Sequence, residues 1–119
     1  MKTIKLKVKT KNDLYPIIIG SNLVSDILKI TKNNSVNFNK CLLIIDKNIP
    51  KKTISKIKKS LKNKKCYIYY FKASEINKNQ KNVNKILDIL LNRNFSREDC
   101  LISIGGGITG DVSSFAASI

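Results

Sequence analysis

Histidine and tryptophan are missing from this 119-residue chain, and arginine occurs only at positions 93 and 97. Without histidine no metal site can use imidazole, the commonest protein metal ligand. The zinc-protease motif HExxH and the GxSxG nucleophile turn are absent, and no lysine follows the glycine cluster as a Walker A loop requires. Aromatics are only 7% of the residues, so a core must be built mainly from Ile, Leu and Val. No apolar run approaches the roughly 18 to 20 residues that cross a bilayer. The N-terminus, Met1 to Thr10, alternates Lys with apolar residues and carries no continuous apolar segment of the secretory kind. A soluble, cytoplasmic protein is expected. Cys41, Cys66 and Cys100 are odd in number and form no CxxC, which excludes a disulfide framework or zinc ribbon as the reading of choice. Each lies in an apolar run, so all three are expected to be buried thiols.

What the chain has in excess is positive charge: 23 basic against 8 acidic residues, a net charge of +15. A basic protein of this kind can bind nucleic acid or another polyanion. Against that, Lys outnumbers Arg 21 to 2, and Lys, Asn and Ile together supply 54 of the 119 residues. Their codons are rich in A and T, so genome bias accounts for the charge. A nucleic-acid surface would favour Arg for bidentate contacts. No specific nucleic-acid partner and no membrane are expected.

Ile4, Leu6 and Val8 alternate with Lys5, Lys7 and Lys9, the pattern of a strand over 3–9 with one buried face. Asn12 and Asp13 mark a turn into a second strand at 15–19, giving an antiparallel hairpin that ends at Gly20. Ser21 or Asn22 can cap a helix over 22–30. The run 41–46 is too short for a helix and reads as a strand buried on both faces. Runs at 66–71 and 100–104 have the same character. Between them, Ile54, Ile57 and Leu61 mark a helix over 50–62, opened by Pro50. Val83, Ile86, Leu87, Leu90 and Leu91 mark another over 79–94. A last helix is expected from 109 onward. Alternating strands and helices give a parallel sheet with helices on its faces, an α/β fold.

In such sheets ligands bind at the carboxyl ends of the strands, and three segments there attract attention. Gly105, Gly107 and Gly110 satisfy GxGxxG between a strand and a helix. This is either a phosphate-approaching turn or a tight turn without a ligand. Asp46-x-Asn48 either bonds ribose hydroxyls or serves as a turn before Pro50. Glu75 and Lys78 either meet a ligand or form a solvated ion pair. Asp111 either contacts a ligand or complements the helix dipole from the first turn.

Taken together these residues resemble a family. Gly105-Gly106-Gly107-Ile108-Thr109-Gly110-Asp111 with Phe115-Ala116-Ala117-Ser118 is similar to the GGGxxGD…FxA segment of 3-dehydroquinate synthases. Glu75-x-x-Lys78 resembles the GExxK contact of that family, and Asp46-x-Asn48 resembles its adenosine contact. Tyr15 to Gly20 resembles its early strand, and Arg97-Glu98-Asp99 the pair before the glycine strand. Iron-dependent dehydrogenases share a GGGxxxD turn but then run toward a small residue and Lys, where this chain has Ser113-Ser114-Phe115. Sugar-phosphate cyclases of antibiotic pathways are closer and remain an alternative. So does, from a different class, a basic polyanion-binding protein.

The resemblance implies a Rossmann-like nucleotide-binding domain with an N-terminal β-hairpin. Residues 1–119 would form part of an N-terminal NAD-binding domain, truncated before the helical, metal-binding C-terminal domain. It implies a shikimate-pathway enzyme that converts a seven-carbon phosphorylated keto acid, 3-deoxy-D-arabino-heptulosonate 7-phosphate, into 3-dehydroquinate and phosphate. Bound NAD and a divalent metal, zinc or cobalt, would take part, and the full-length enzyme would be a homodimer. Asp46 and Asn48 would hold the adenosine end of NAD, and Glu75 and Lys78 its ribose and phosphate region. Gly106, Gly107, Ile108, Thr109, Gly110 and Asp111 would wrap the pyrophosphate. Catalytic residues and metal ligands are expected outside this chain, which by itself should be an inactive fragment. Two departures stand out. Ser74 replaces the usual Gly before the Glu, and Ser114 replaces the usual Gly before Phe115, where a side chain is expected to crowd the helix against the sheet.

Overall fold

The computed structural model describes residues 3–119. It contains an antiparallel pair, β1 (Ile4–Lys9) and β2 (Leu14–Ile19), and a parallel three-stranded sheet of β3 (Lys40–Asp46), β4 (Lys65–Phe71) and β5 (Cys100–Ile104) in the order β4-β3-β5. The helices are α1 (Ile27–Asn33), α2 (Lys51–Ser60), α3 (Gln80–Asn92) and α4 (Gly107–Ser118), with short 3-10 turns at Leu23–Asp26 and Glu75–Asn77. The expected α/β order and all five strands are present.

Strand β3 organises the core because its side chains alternate between two helical layers. Cys41, Leu43 and Ile45 point to one face and pack with Ile54, Ile57 and Leu61 of α2 and its extension, with Phe38, and with Ile27 and Leu28 of α1. Leu42 and Ile44 point to the other and meet Val83 and Ile86 of α3, Val112 and Ala116 of α4, and Phe71. All five residues from Cys41 to Ile45 are fully buried, as a strand covered on both faces requires. Strands β4 and β5 differ from expectation: most of their residues are only half-buried. Among the described residues they are the outer strands, so each has one open side.

Four further expectations need correction. The expected antiparallel hairpin is present, with Ile4 opposite Ile19, Leu6 opposite Ile17 and Val8 opposite Tyr15. Its apolar face is not buried, however: Ile4, Leu6, Tyr15, Ile17 and Ile19 are all exposed. Alternation fixes which side is apolar, not what covers it. The predicted helix at 22–30 is instead the 3-10 turn followed by α1, which runs on to Asn33. Asn22 does not cap it, since its backbone is left-handed (φ 56°) and its side chain makes no cap bond. Pro50 is the residue before α2 rather than inside it, with an extended backbone suited to entering a helix. Finally, only Cys41 of the three cysteines is buried; Cys66 and Cys100 are half-buried because they lie on the outer strands.

Candidate functional site

The chain passes from β3 through α2 to β4 on one side of the sheet. It then returns through α3 to β5 on the other side of β3. The connection therefore reverses direction between β3 and β5, and the crevice outside their carboxyl ends is where such sheets take ligands. Asp46, the last residue of β3, and Gly105, directly after β5, flank it.

Gly105 is the position in the glycine run that only glycine can fill. Its φ is +153°, and a Cβ there would lie 2.8 Å from Thr109 Oγ1 and 3.0 Å from Asp46 Cβ. The chain needs this close approach to leave β5 and enter α4. Gly106, Gly107 and Gly110 have no heavy atom within 4 Å of where a Cβ would stand. They leave an open cradle over the start of α4, where helix amides have no intrahelical partner and the dipole favours an anion. Beneath the turn Thr109 is fully buried next to Gly105, and its hydroxyl is the buried side-chain oxygen without a partner among the described residues. An orphaned polar atom of this kind is costly unless something completes its bonding.

Helix α4 begins two residues earlier than the expected 109, so Asp111 lies beyond the first turn and not within it. Simple dipole complementarity is therefore not its role. Instead its Oδ2 accepts a hydrogen bond from Lys78 Nζ at 2.8 Å. This joins two of the predicted segments across the mouth of a cleft of about 250 Å³, lined by Lys78, Asn79, Gln80, Val83, Asp111 and Phe115. The hydrogen bond to Asp111 pushes the Lys78 ammonium above its usual pKa, helped by the charges of Asp111 and Glu75. Lys78 thus pairs with Asp111 and not with Glu75, its neighbour in sequence. The pair is exposed, so its contribution to stability is small.

Asp46 and Asn48 form a turn: the Asn48 amide donates to Asp46 Oδ1 at 3.0 Å, and the Ile49 amide donates to the Asp46 carbonyl. The turn reading is realised, and one carboxylate oxygen is left at the crevice. Ser74 caps the 3-10 turn that carries Glu75, its hydroxyl accepting from the Asn77 amide at 3.3 Å. Ser114 is exposed and crowds nothing, contrary to expectation. Ser113 is the buried serine, and its hydroxyl donates to the Thr109 carbonyl at 2.7 Å within the helix. The crevice thus gathers Asp46, Gly106 to Thr109 and their neighbours, while Lys78 and Asp111 stand at the adjoining cleft. Sequence reasoning counted Gly105 toward the motif but not toward the site. Its place as the first glycine after a strand was the available signal. No group of three or more His, Cys, Asp or Glu side chains suited to a metal occurs among the described residues. No described helix is long and apolar enough to cross a membrane.

Residues 68–119 match the family model described as 3-dehydroquinate synthase N-terminal. The chain is 58% identical over 118 residues to a 3-dehydroquinate synthase of Pelagibacter ubique, covering 99% of this chain and 32% of that protein. It is 32% identical over 116 residues to the Streptococcus thermophilus enzyme of the same name, covering 96% of this chain and 32% of that protein. The chain thus spans about a third of the length of these curated relatives. Among solved structures, 2-deoxy-scyllo-inosose synthase complexed with carbaglucose-6-phosphate, NAD+ and Co2+ superimposes with a TM-score of 0.82 at 18% identity, covering 98% of this chain and 32% of that one. A second structure of a synthase of that name gives 0.84 at 17% identity, covering 98% and 33%. At that identity the likeness establishes the fold.

Proposed function

We propose that the chain belongs to the 3-dehydroquinate synthase family, whose N-terminal model matches residues 68–119 and one of whose members is 58% identical to it, and that it is the dinucleotide-binding region of such an enzyme, a lyase acting on a phosphorylated seven-carbon keto acid. The observation that carries the reading is the glycine cradle. Three glycines leave open space over the start of α4, whose first amides have no intrahelical partner. A pyrophosphate fits this donor set, since backbone amides and a helix N-terminus favour phosphate oxygens.

In this reading Gly106, Gly107, Ile108, Thr109 and Gly110 hold the NAD pyrophosphate. The free carboxylate oxygen of Asp46, with Asn48 beside it, holds the adenosine end. Glu75 and Lys78 reach the ribose and phosphate region, and Asp111 positions Lys78. Bound NAD supplies a hydride acceptor for transient oxidation of a substrate alcohol. The residues described here do not fit a divalent metal, so zinc or cobalt would be held by other parts of the protein, and no role is derived for it in this chain. A cytoplasmic homodimer is the setting the reading implies.

The 58% identity to a 3-dehydroquinate synthase, against 18% to an inosose synthase, favours the former substrate class. Binding of a polyanion is the competing reading from the charge. It separates by salt: affinity for nucleic acid through lysines falls steeply with salt concentration, whereas a built NAD site loses far less.

The test is calorimetric titration of NAD into the full-length enzyme and its variants. Removing a charge-assisted contact costs roughly 1.5–3 kcal/mol, so Lys78→Ala and Asp111→Ala should each weaken NAD by about ten- to a hundredfold. Unchanged affinity in both would reject the assignment. Residues 1–119 alone should bind NAD weakly and release no phosphate from the phosphorylated substrate; turnover above background would refute that.

A further inference from the structure

The three cysteines, far apart in sequence, stand in one row across the sheet. Cys41 is opposite Cys66 on one side and opposite Cys100 on the other. All three side chains belong to the layer covered by α1 and α2. The row crosses the amino ends of the strands, while the glycine turn follows the last residue of β5. It belongs to no part of the nucleotide site.

The sulfurs are not equivalent. Cys41 Sγ and Cys66 Sγ are 3.2 Å apart. The Cys100 thiol faces the Leu101 carbonyl at 3.9 Å instead. Neighbouring strands lie about 4.8 Å apart, inside the roughly 4.4–6.8 Å Cα separation that a disulfide spans. Bond formation therefore needs the sulfurs to approach by about 1.2 Å with no rearrangement of the strands. Cys41 is fully buried, whereas Cys66 lies on an outer strand and is half-buried, so a small oxidant reaches Cys66 first.

We propose that Cys41 and Cys66 are a modification site, closing to an intrachain disulfide when the protein meets a peroxide. In the first step the Cys66 sulfur attacks one peroxide oxygen. An S–O bond forms, the O–O bond breaks, and water leaves with the thiol proton, giving a sulfenic acid. In the second, the Cys41 sulfur attacks the Cys66 sulfur. The S–S bond forms, the S–O bond breaks, and the departing hydroxyl takes the Cys41 proton as a second water. Two thiols are oxidised and one peroxide is reduced to two waters. Burial pushes the Cys41 thiol up, with its contact to Cys66 adding to this and the nearby Lys64 charge opposing it. The second step therefore draws on little Cys41 thiolate.

The experiment treats the purified protein with hydrogen peroxide, counts free thiols after denaturation and maps peptides by mass. The expected result is the loss of two free thiols, a peptide cross-linked through Cys41 and Cys66, and full recovery with dithiothreitol. Cys100→Ser should still form the bond, and Cys66→Ser should not. Cys41 and Cys66 persisting as free thiols, a Cys41–Cys100 bond, or overoxidised Cys66 without a cross-link would overturn the proposal. The peptide map of the unsubstituted protein decides the matter even if a variant fails to fold. NAD affinity plays no part in the readout, so this proposal stands or falls apart from the nucleotide reading.

Discussion

At the amino end of the sheet, Lys40 is held on several sides. Its ammonium donates to the carbonyls of Arg93 and Asn94 at 2.9 Å each, lies 3.6 Å from the Asp99 carboxylate and sits 4.9 Å above the Phe95 ring. It closes the C-terminus of α3, where carbonyls lack helical partners and favour a cation. At the carboxyl end, Lys78 is exposed and has the single partner Asp111. There a buried hydroxyl goes unpaired and glycines leave space unfilled. One end of the fold completes its polar bonds internally; the other leaves donors and room for something else. Identical side chains thus close the fold at one end and stand open at the other, where the proposed function puts a ligand, and composition alone does not distinguish them.

The comparison can be broken most severely at Gly105. Gly105→Ala should destabilise the protein by about 3 kcal/mol, since the added Cβ enters both a strained backbone region and the space of Thr109 and Asp46. Chemical denaturation measures this. Gly107→Ala, with open space around it, should leave stability nearly unchanged and weaken NAD by filling the cradle. Equal stability losses in the two variants would mean that the glycines are not divided in this way.

The two lysines sharpen it next. Lys40→Ala should cost roughly 1.5–3 kcal/mol, because the half-buried Asp99 carboxylate and two helix-end carbonyls lose a charged donor. Lys78→Ala should move stability by no more than about 0.5 kcal/mol, as an exposed pair does. Thermal denaturation of both variants checks the contrast.

How much of this was legible beforehand follows from the same contrast. The strands were legible because short Ile- and Leu-rich runs bounded by turns cannot be helices, and β3 is buried on both faces as its unbroken run required. The candidate segments were legible as strand-end turns because each follows a strand. Pairings between distant residues were not: nothing local says that Lys78 meets Asp111 or that Lys40 closes α3, since both depend on how helices dock. The exposure of Ser114 was missed for a related reason. The expectation placed it against the sheet, but the earlier start of α4 carries Thr109, Val112, Ser113 and Ala116 on the buried face and turns Ser114 outward.

Ser114 gives the smallest expected effect. Ser114→Gly should lower stability by about 1 kcal/mol or less, the cost of glycine within a helix, with no relief of crowding to offset it and no change in NAD affinity. A gain in stability on denaturation would show that the serine does press on a neighbour.

The proposed function makes the carboxyl end of the sheet the binding end. Amide chemical-shift mapping of residues 1–119 with added NAD tests it most directly, because it registers weak binding residue by residue. Shifts should concentrate at Asp46 to Asn48, Glu75 to Lys78 and Gly105 to Asp111, with Lys40, Cys66 and Asp99 unmoved. Shifts spread over the lysines of α2 and the hairpin, and disappearing in moderate salt, would contradict it and favour a nonspecific polyanion surface.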